Sequence, residues 1–403
     1  MKIAFLTAGG IAPCLSASIG RLIRNYSQTS QSVEMIAYLH GYKGLLTGNS
    51  IPITTQIIDN AEILYEYGGS PIGNSRVKLT NVEDCVKNGY IQEGEDPLKV
   101  AADQLVRDEV TVLHTIGGDD TNTTAGDLVY YLAENGYTLT VVGLPKTVDN
   151  DVYPIQQTLG AWTAAEQGAL FFENIANENT TSSRQLIIHE VMGRNCGWLT
   201  AATSMEYRRR LEVKSYLPSI FIDRERWDID AVYIPEQPIH IQAEIERLKL
   251  RMDEKDSVNI FLSEGAGIDD IVQDLETRGE PVKRDAFGHV RLDEINPGLY
   301  FAKQFAEGVH ADKVLVQKSG YFARSAKPNK KDLGLIFQTA DYANECALNG
   351  KSGVVGIDED FDNQLRCIEF ERIKGGKPFN PTVGWYQSIL TDIGQSTMKE
   401  VLQ

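Results

Sequence analysis

Cysteine and long apolar runs are both scarce in this sequence. Its five cysteines are scattered and show no metal-type spacing, so we expect free thiols in a reducing cytoplasm rather than disulfides or a zinc site. No run of about 18 apolar residues occurs, which predicts the absence of a membrane span. The sequence also lacks a G-x-x-x-x-G-K-[ST] phosphate loop and an H-E-x-x-H zinc motif.

Positive charge is in deficit as well. The chain has 39 Lys and Arg against 56 Asp and Glu, a net charge of -17. This balance argues against binding to nucleic acid or to an anionic membrane. Any anionic substrate must therefore be held by locally placed Arg, Lys or backbone N–H groups. With 403 residues, of which 42% are hydrophobic, the chain is long enough for two domains with sizeable cores.

Strand-like and helix-like segments alternate along most of the chain, which predicts an α/β fold with parallel sheets. The predicted strands are 2–7, 34–39, 111–116, 139–144, 185–191, 231–236, 258–263, 313–316 and 352–357. The predicted helices are about 16–26, 98–107, 159–175, 240–255 and 332–348, and a further helix opens through 199–202. Polar turns follow five strands, near residues 9, 118, 149, 193 and 264. Because open α/β sheets bind ligands at the carboxyl ends of their strands, these turns suggest one shared crevice.

Two of these turns contain most of the reactive side chains, Gly117-Gly118-Asp119-Asp120-Thr121 and Pro145-Lys146-Thr147-Val148-Asp149-Asn150-Asp151. Paired glycines let the backbone approach an anion because no Cβ intervenes. Asp119 offers hard oxygen ligands that suit Mg²⁺. Together the turns supply four carboxylates and one lysine. That mixture suits a magnesium-assisted phosphoryl transfer, in which a metal and a cation share charge while a carboxylate takes a proton.

The remaining turns leave two interpretations open when each is taken alone. The Gly9-Gly10 turn is either an anion site or a tight βα turn. The turn-rich stretch 68–76, which ends at Arg76, either cradles phosphate or is a surface loop. Arg194 either clamps a phosphate or is a surface arginine. His114 and His189 lie inside apolar strands and are expected to be core residues.

The Gly117–Thr121 and Pro145–Asp151 turns, together with Met192-Gly193-Arg194, resemble the phosphofructokinases, and most closely their pyrophosphate-dependent branch. The resemblance runs from Gly9 to Ser325. It implies two Rossmann-like three-layer domains with mainly parallel sheets and the active site in the cleft between them. The expected domains are 1–161 plus 325–365, for the phosphoryl donor, and 162–324 plus 366–403, for the sugar phosphate.

The resemblance also implies an activity, which is reversible transfer of phosphoryl from pyrophosphate to the C1 hydroxyl of fructose 6-phosphate. The products would be fructose 1,6-bisphosphate and phosphate, with Mg²⁺ as cofactor. A homodimer or homotetramer in the cytoplasm is expected. Residues 268–290 are assigned no role.

The choice of branch depends on Asp120 and Lys146, where ATP-using relatives typically have glycine. The Asp120 carboxylate would project where an ATP α-phosphate must lie. Two like charges about 4 Å apart at an effective dielectric near 20 repel by roughly 4 kcal/mol, which is on the order of a thousandfold in affinity. Lys146 would replace charge stabilisation that a bare pyrophosphate otherwise lacks. Both positions therefore favour pyrophosphate.

The resemblance assigns roles to matching residues. The predicted catalytic residues are Asp149 as general base, Asp120, Lys146 and Arg194. Asp119 would be the Mg²⁺-side carboxylate, with Asp151 supporting its loop. Gly10 would donate its N–H to pyrophosphate, and Arg76 would face the transferred phosphoryl group. The residues expected to contact the sugar phosphate are Thr147, Val148, Met192, Gly193, Arg194 and Glu264, with Tyr321 and Arg324 at its 6-phosphate.

Three alternatives remain beside this hypothesis. An ATP-dependent phosphofructokinase is disfavoured by Asp120 and Lys146. A paralogue that binds sugar phosphate without turnover is disfavoured because Asp119, Asp149 and Arg194 are intact. Hydrolysis, with water in place of sugar, is disfavoured by the predicted sugar-facing residues.

Overall fold

The computed structural model describes residues 1–30, 32–283 and 295–395. It divides into two compact units, Met1–Thr163 with Arg324–Lys377 (unit 1) and Ala164–Ala323 with the chain from Pro378 onward (unit 2). Residues 366–377, which the sequence prediction placed in the second domain, thus belong to unit 1. Of the residues for which predictions were made, 396–403 and the part of 268–290 from 284 onward lie outside the described residues.

The strands that the structure describes are β1 Lys2–Thr7, β2 Glu34–Tyr38, β3 Ser50–Pro52, β4 Val112–Gly117, β5 Thr140–Pro145, β6 Gln185–Val191, β7 Ala231–Tyr233, β8 Ser257–Ser263, β9 Lys313–Lys318, β10 Gly353–Asp358 and β11 Gln364–Ile368. The described α-helices are α1 Leu15–Ser27, α2 Tyr42–Thr47, α3 Thr55–Asp59, α4 Val82–Lys87, α5 Pro97–Arg107, α6 Asp119–Glu134, α7 Ala161–Ile175, α8 Trp198–Glu212, α9 Arg224–Trp227, α10 Ile241–Lys255, α11 Ile268–Thr277, α12 Pro297–Gly308, α13 Gly320–Arg324, α14 Lys330–Leu348 and α15 Gly384–Asp392. Short 3₁₀ helices occupy Ala61–Glu66, Ala176–Thr180, Pro218–Ile220 and Phe370–Arg372.

Unit 1 contains a seven-stranded sheet in the order β11-β10-β5-β4-β1-β2-β3. Its inner strands are parallel, and the edge strands β3 and β11 are antiparallel to their neighbours. The register aligns Thr7 with Ile116 and Gly117 with Pro145, so β1, β4 and β5 end side by side. β4 and β5 are buried along their whole length, as their β-branched runs predict. The turns that follow these three strands are therefore neighbours.

Helices cover both faces of the unit 1 sheet. On one face, side chains of β1, β4 and β5 such as Leu6, Leu113 and Val141 pack with α2, α5 and α6 in a single apolar cluster. On the other face, α14 contacts β5, β10 and α1. This arrangement gives three layers, with the polar turns at the strand ends left outside the core.

Unit 2 contains a four-stranded parallel sheet in the order β7-β8-β6-β9. Alternate residues of its strands face opposite clusters. Ile187 and Phe261 join one cluster with residues of α7, α8 and α15, whereas their neighbours Leu186 and Ile260 join another with residues of α10 and α12. This two-sided burial explains why the strands read as continuous apolar runs in the sequence.

The predicted α/β fold class is confirmed, and the predicted strands are present within a few residues of their expected bounds. All five cysteines are buried free thiols, as expected. The prediction missed α6, whose Asp119–Glu134 segment begins with polar residues, as well as α12, α15, several shorter helices and the short edge strands β3 and β11. Among the residues that the structure describes, no helix is long and apolar enough to cross a membrane.

Candidate active site

The Gly9-Gly10 turn at the end of β1 is the centre of the candidate site in unit 1. Gly9 adopts φ +83°, a conformation that favours glycine, and a Cβ added there would lie 3.0 Å from Nζ of Lys146. The Gly9 N–H donates to the carbonyl of Ser75 at 2.8 Å, and the Nδ2 group of Asn74 donates to the carbonyl of Gly10 at 3.3 Å. The turn is therefore held against the 68–76 stretch, which the sequence left open as a free surface loop.

Lys146 reaches this turn from the end of β5. Its Nζ donates a hydrogen bond to the carbonyl oxygen of Gly10 at 2.7 Å, and only 5% of the residue is exposed. Burial, together with the nearby guanidinium groups of Arg76 and Arg324, lowers the pKa of Lys146 to about 8, and Asp149 partly opposes the shift. A buried ammonium close to other cations is unfavourable unless it is paired, so an anion bound beside it would be stabilised.

Two arginines also approach Gly10. A Cβ built on Gly10 would lie 3.7 Å from Nη1 of Arg324 and 4.0 Å from Nη2 of Arg76. Arg324 is the last residue of α13 and belongs to unit 1, whereas Tyr321, on the same helix, belongs to unit 2. Lys146, Arg76 and Arg324 thus converge on one backbone turn, which is the local concentration of positive charge that an acidic chain needs to hold an anion.

The Pro145–Asp151 turn is fixed by its own hydrogen bonds. The Asp149 N–H donates to Oγ1 of Thr147 at 3.1 Å, and the Thr147 hydroxyl donates to Oδ1 of Asp151 at 3.0 Å. Asn150 has φ +56°, and its Oδ1 accepts from the N–H of Thr158 at 2.8 Å. Val148 is buried, with 6% exposed, so its side chain serves the core and its backbone is the part left for a ligand.

Asp119 opens α6, and only Gly118 separates it from the end of β4. It is half-buried, and burial raises its pKa, with further contributions from the neighbouring Asp120 and Asp151 carboxylates. A Cβ on Gly375 would lie only 1.8 Å from Oδ2 of Asp119, so that carboxylate lies against a bare stretch of backbone. The Gly375 segment is itself tied to the 151–153 loop, because Tyr153 and Lys374 exchange backbone hydrogen bonds at 2.8 and 3.0 Å.

Asp120 is the more exposed of the two acidic residues in this turn. Its Oδ2 lies 2.6 Å from Nζ of Lys78, and their side chains are 61% and 48% exposed. Lys78 follows Arg76 by two residues, so the same segment supplies a cation to Gly10 and another to Asp120. Both members of the pair line a cavity of about 200 Å³ that Gly9, Ser75 and Tyr42 also border.

Five of the predicted sugar-side residues, Met192, Gly193, Arg194, Glu264 and Tyr321, lie in unit 2, after the ends of β6, β8 and β9. Gly193 accepts a hydrogen bond at its carbonyl from Oγ of Ser263 at 2.5 Å, and the Glu264 N–H donates to the carbonyl of Val191 at 2.8 Å. A Cβ on Gly265 would lie 1.7 Å from the carbonyl oxygen of Arg194, so the two turns are in direct backbone contact. Met192 packs against Gly320, next to Tyr321, which is 79% exposed.

The predicted site residues therefore lie in two groups, one in each unit. Unit 1 contains Gly10, Arg76, Asp119, Asp120, Lys146, Thr147, Val148, Asp149 and Arg324; unit 2 contains Met192, Gly193, Arg194, Glu264 and Tyr321. That all of these form one shared crevice stays a prediction. His114 and His189 are buried in their sheets, and burial lowers their pKa values to about 4 and about 3, which makes them neutral core residues.

The carboxylates fit a magnesium ion that arrives with a phosphate ligand better than a permanently held metal. Among residues 1–30, 32–283 and 295–395, no group of three or more His, Cys, Asp or Glu side chains is placed to hold a metal. Asp119 and Asp151 are close enough for the second to raise the pKa of the first. Mg²⁺ is commonly held by one or two carboxylates together with waters and substrate phosphates, and Asp119 and Asp151 are the carboxylates that could contribute here.

Lys78 and Gly375 are the two residues at this site that the sequence reasoning missed. The Gly375-Gly376 pair between two lysines is a turn signal in the sequence, but nothing there relates it to Asp119, more than two hundred residues earlier. Lys78 stands just beyond the glycine-rich stretch that was considered, so a window extended by two residues would have included it.

Unit 1 is a mainly parallel α/β fold with a cation-lined glycine turn beside carboxylates, an arrangement that suits the phosphate binding used in phosphoryl transfer. Comparison with protein families identifies the family. Residues 2–346 match the Phosphofructokinase family, and the chain belongs to that family.

Similar proteins extend over nearly the whole chain. The pyrophosphate–fructose 6-phosphate 1-phosphotransferase of Methylotuvimicrobium alcaliphilum is 59% identical over 395 residues, which cover 98% of this chain and 97% of that protein. The protein of the same name from Propionibacterium freudenreichii subsp. shermanii is 57% identical over 394 residues, covering 98% of each chain. The crystal structure of a pyrophosphate-dependent phosphofructokinase from Marinobacter aquaeolei superposes with a TM-score of 0.69 at 20% identity, over 98% of this chain and 92% of that one, a likeness in fold.

Proposed function

We propose that this chain is a pyrophosphate-dependent phosphotransferase that converts fructose 6-phosphate to fructose 1,6-bisphosphate, reversibly and with release of phosphate. The observation that carries the proposal is the buried Lys146 ammonium on the Gly10 carbonyl, flanked by Arg76 and Arg324. Two relatives that are 59% and 57% identical bear the name of this activity. Both kinds of support point to the same donor.

Pyrophosphate binds at the Gly9-Gly10 turn, where the Gly10 N–H and the Lys146 ammonium contact its oxygens. Lys146 neutralises charge on the departing phosphate, which has no nucleoside to help position it. Arg76 and Arg324 contact the phosphoryl group that is transferred, since both guanidinium groups approach Gly10. For Arg324 this position adds to the contact with the sugar 6-phosphate that its resemblance implies. These cations act most strongly as charge develops in the transition state.

Asp149 is the general base. Its carboxylate takes the proton from the C1 hydroxyl as that oxygen forms a bond to phosphorus, and the bond between phosphorus and the bridging oxygen breaks to release phosphate. The hydrogen bond from its N–H to Thr147 holds the backbone of the residue, and the Thr147 hydroxyl is in turn held by Asp151. In the reverse direction the protonated Asp149 returns its proton to the C1 oxygen.

Asp119 is the carboxylate that faces the metal, with Asp151 supporting it from the adjoining turn. A bound Mg²⁺ would supply positive charge to the pyrophosphate oxygens, in the hard-oxygen coordination that carboxylates and phosphates provide. Asp119 itself is kept in place by the backbone at Gly375, because its Oδ2 lies where any larger residue would project a Cβ.

The residues proposed to hold fructose 6-phosphate are Thr147 and Val148, through their backbone, and Met192, Gly193 and Arg194. Arg194 also contributes to catalysis through its charge. Glu264 accepts hydrogen bonds from sugar hydroxyls, and Tyr321 contacts the 6-phosphate. A homodimer or homotetramer in the cytoplasm completes the proposal, and size-exclusion chromatography with light scattering measures its assembly.

The experiment that tests this function compares phosphoryl donors with purified protein. Fructose 1,6-bisphosphate formation is measured with pyrophosphate or ATP, each with and without fructose 6-phosphate, in the presence of Mg²⁺. We expect turnover with pyrophosphate and the sugar together, and none with ATP. Turnover of the sugar with ATP as donor and none with pyrophosphate would identify the ATP-dependent branch. Phosphate release without sugar would identify a hydrolase. Binding of the sugar without turnover would identify a non-catalytic paralogue.

A further inference from the structure

The ion pair between Lys78 and Asp120 changes how Asp120 can select the phosphoryl donor. The Asp120 carboxylate alone would repel the α-phosphate of ATP, but it would also repel pyrophosphate, which is itself a multiply charged anion. A bare charge therefore discriminates poorly between the two donors. The structure places Nζ of Lys78 only 2.6 Å from Oδ2 of Asp120, so the carboxylate does not act as a bare charge.

The position of the pair supports a role in donor binding. Lys78 and Asp120 line the same cavity as Gly9, where an added Cβ would lie 3.0 Å from Nζ of Lys146. That cavity has a volume of about 200 Å³. Both side chains border this cavity, so together they take up space beside the glycine turn in which the nucleoside of a larger donor could lie.

We propose that Lys78 is a donor-specificity residue that acts together with Asp120. Its ammonium neutralises the Asp120 carboxylate, so that pyrophosphate meets a neutral pair, while the combined bulk of the two side chains excludes a nucleoside. Charge tolerance for the small donor and steric rejection of the large one thus come from the same contact. This inference rests on the proposed function, because it concerns which donor the site accepts.

The charge part is tested with Lys78→Met, which keeps the length of the side chain and removes its charge. We expect the KM for pyrophosphate to rise roughly fivefold. An exposed ion pair contributes up to about 1 kcal/mol, and that free energy corresponds to about fivefold in affinity. The KM for fructose 6-phosphate should not change. Adding Asp120→Asn should restore the KM for pyrophosphate, since the site is then neutral again, and added salt should reduce the effect of Lys78→Met.

Lys2 offers a matched control. It forms a partly exposed ion pair with Glu34 at 3.0 Å, at the opposite end of β1 from Gly9. Lys2→Met should therefore leave both KM values unchanged. Thermal unfolding of each variant separates a binding effect from a stability effect, and we expect the unfolding midpoint of Lys78→Met to match that of the Lys2→Met control.

The steric part is tested with Lys78→Ala combined with Asp120→Gly, which removes both side chains from the cavity. ATP should then compete with pyrophosphate roughly tenfold more strongly or better, a change of at least ~1.4 kcal/mol. If the wild-type protein uses pyrophosphate but Lys78→Met leaves its KM unchanged, or Asp120→Asn fails to restore it, the role of Lys78 is wrong and the proposed function stands. If the wild-type protein does not use pyrophosphate, the proposed function itself fails.

Discussion

Lys146 donates from Nζ to the carbonyl oxygen of Gly10 over 2.7 Å, and no more than 5% of the residue is exposed. A buried ammonium is unfavourable unless it is hydrogen-bonded or paired. One carbonyl does not neutralise a full charge, and Arg76 and Arg324 add to the positive potential at the same turn. An anion bound at Gly10 would complete the pairing, which is why we regard this contact as the basis of pyrophosphate binding.

The first prediction concerns pH. Burial lowers the pKa of Lys146 to about 8, so the ammonium is present below that value and is lost as pH rises through it. The kcat/KM for pyrophosphate, which reports the free enzyme, should fall above about pH 8 by roughly tenfold per pH unit. Lys146→Arg should lack this fall because arginine stays charged. Equal pH profiles for both proteins would contradict the role of Lys146, since the titration of pyrophosphate itself is common to both.

Asp149→Asn tests the base. The amide cannot take a proton, so kcat should decrease by roughly 10²–10⁴-fold while the KM values for both substrates change little. Steady-state kinetics in each direction measure the change, because the same residue serves the reverse reaction. A variant with near-normal turnover would show that another group takes the proton from the C1 hydroxyl.

Gly375→Ala tests the backbone that holds Asp119. A Cβ there would lie 1.8 Å from Oδ2 of Asp119, and the segment cannot easily retreat because Lys374 and Tyr153 are hydrogen-bonded in both directions. The carboxylate must therefore move. We expect the Mg²⁺ concentration for half-maximal rate to rise by about tenfold, on the scale of other groups that orient metal ligands, and the affinity for fructose 6-phosphate to stay the same.

The matched control for that variant is Gly334→Ala, within α14. An added Cβ at Gly334 meets nothing within 4 Å, and alanine is favoured over glycine inside a helix. Its Mg²⁺ requirement should equal that of the wild-type protein. A rise in both variants would point to a general effect of the substitutions and not to Asp119.

A further prediction concerns the contribution of Asp332 to stability. This fully buried carboxylate accepts hydrogen bonds from the N–H of Gly160 at 3.1 Å and from both the N–H and the hydroxyl of Thr163 at 2.6 Å. Asp332→Ala leaves these donors without acceptors, so the free energy of unfolding should fall by about 3 kcal/mol. The control Asp341→Ala, on the same helix, removes a partly exposed pair with Arg21 and a hydrogen bond from Asn25, both open to water, and should lower the free energy of unfolding by only about 1 kcal/mol. Urea unfolding measures both.

The parts of the site that follow from the sequence are those built by neighbouring parallel strands. Buried β-branched runs identified β4 and β5, and their pairing of Gly117 with Pro145 places the turns that follow the two strands side by side without any further information. The Gly9-Gly10 turn joins them because β1 pairs with β4. Residues that directly follow such strands could be predicted, since the fold rule determines the edge on which they lie.

Other parts of the site depend on long-range contacts that no local pattern encodes. Gly375 reaches Asp119 only because β11 returns antiparallel to β10, and β11 is a short edge strand with little apolar periodicity. That same return is why residues 366–377 belong to unit 1. Lys78 was missed because a lysine after a glycine-rich stretch has no signature until its partner, Asp120, is located in space.

The most direct test of donor selection is the double variant Asp120→Gly with Lys146→Gly. We expect its kcat/KM to fall with pyrophosphate and to rise from a negligible value with ATP. The variant loses the Asp120 side chain that obstructs the inner phosphate of ATP and the Lys146 ammonium that stabilises pyrophosphate. Fructose 6-phosphate binding serves as the internal control for folding. An unchanged preference for pyrophosphate in a folded double variant would contradict the account.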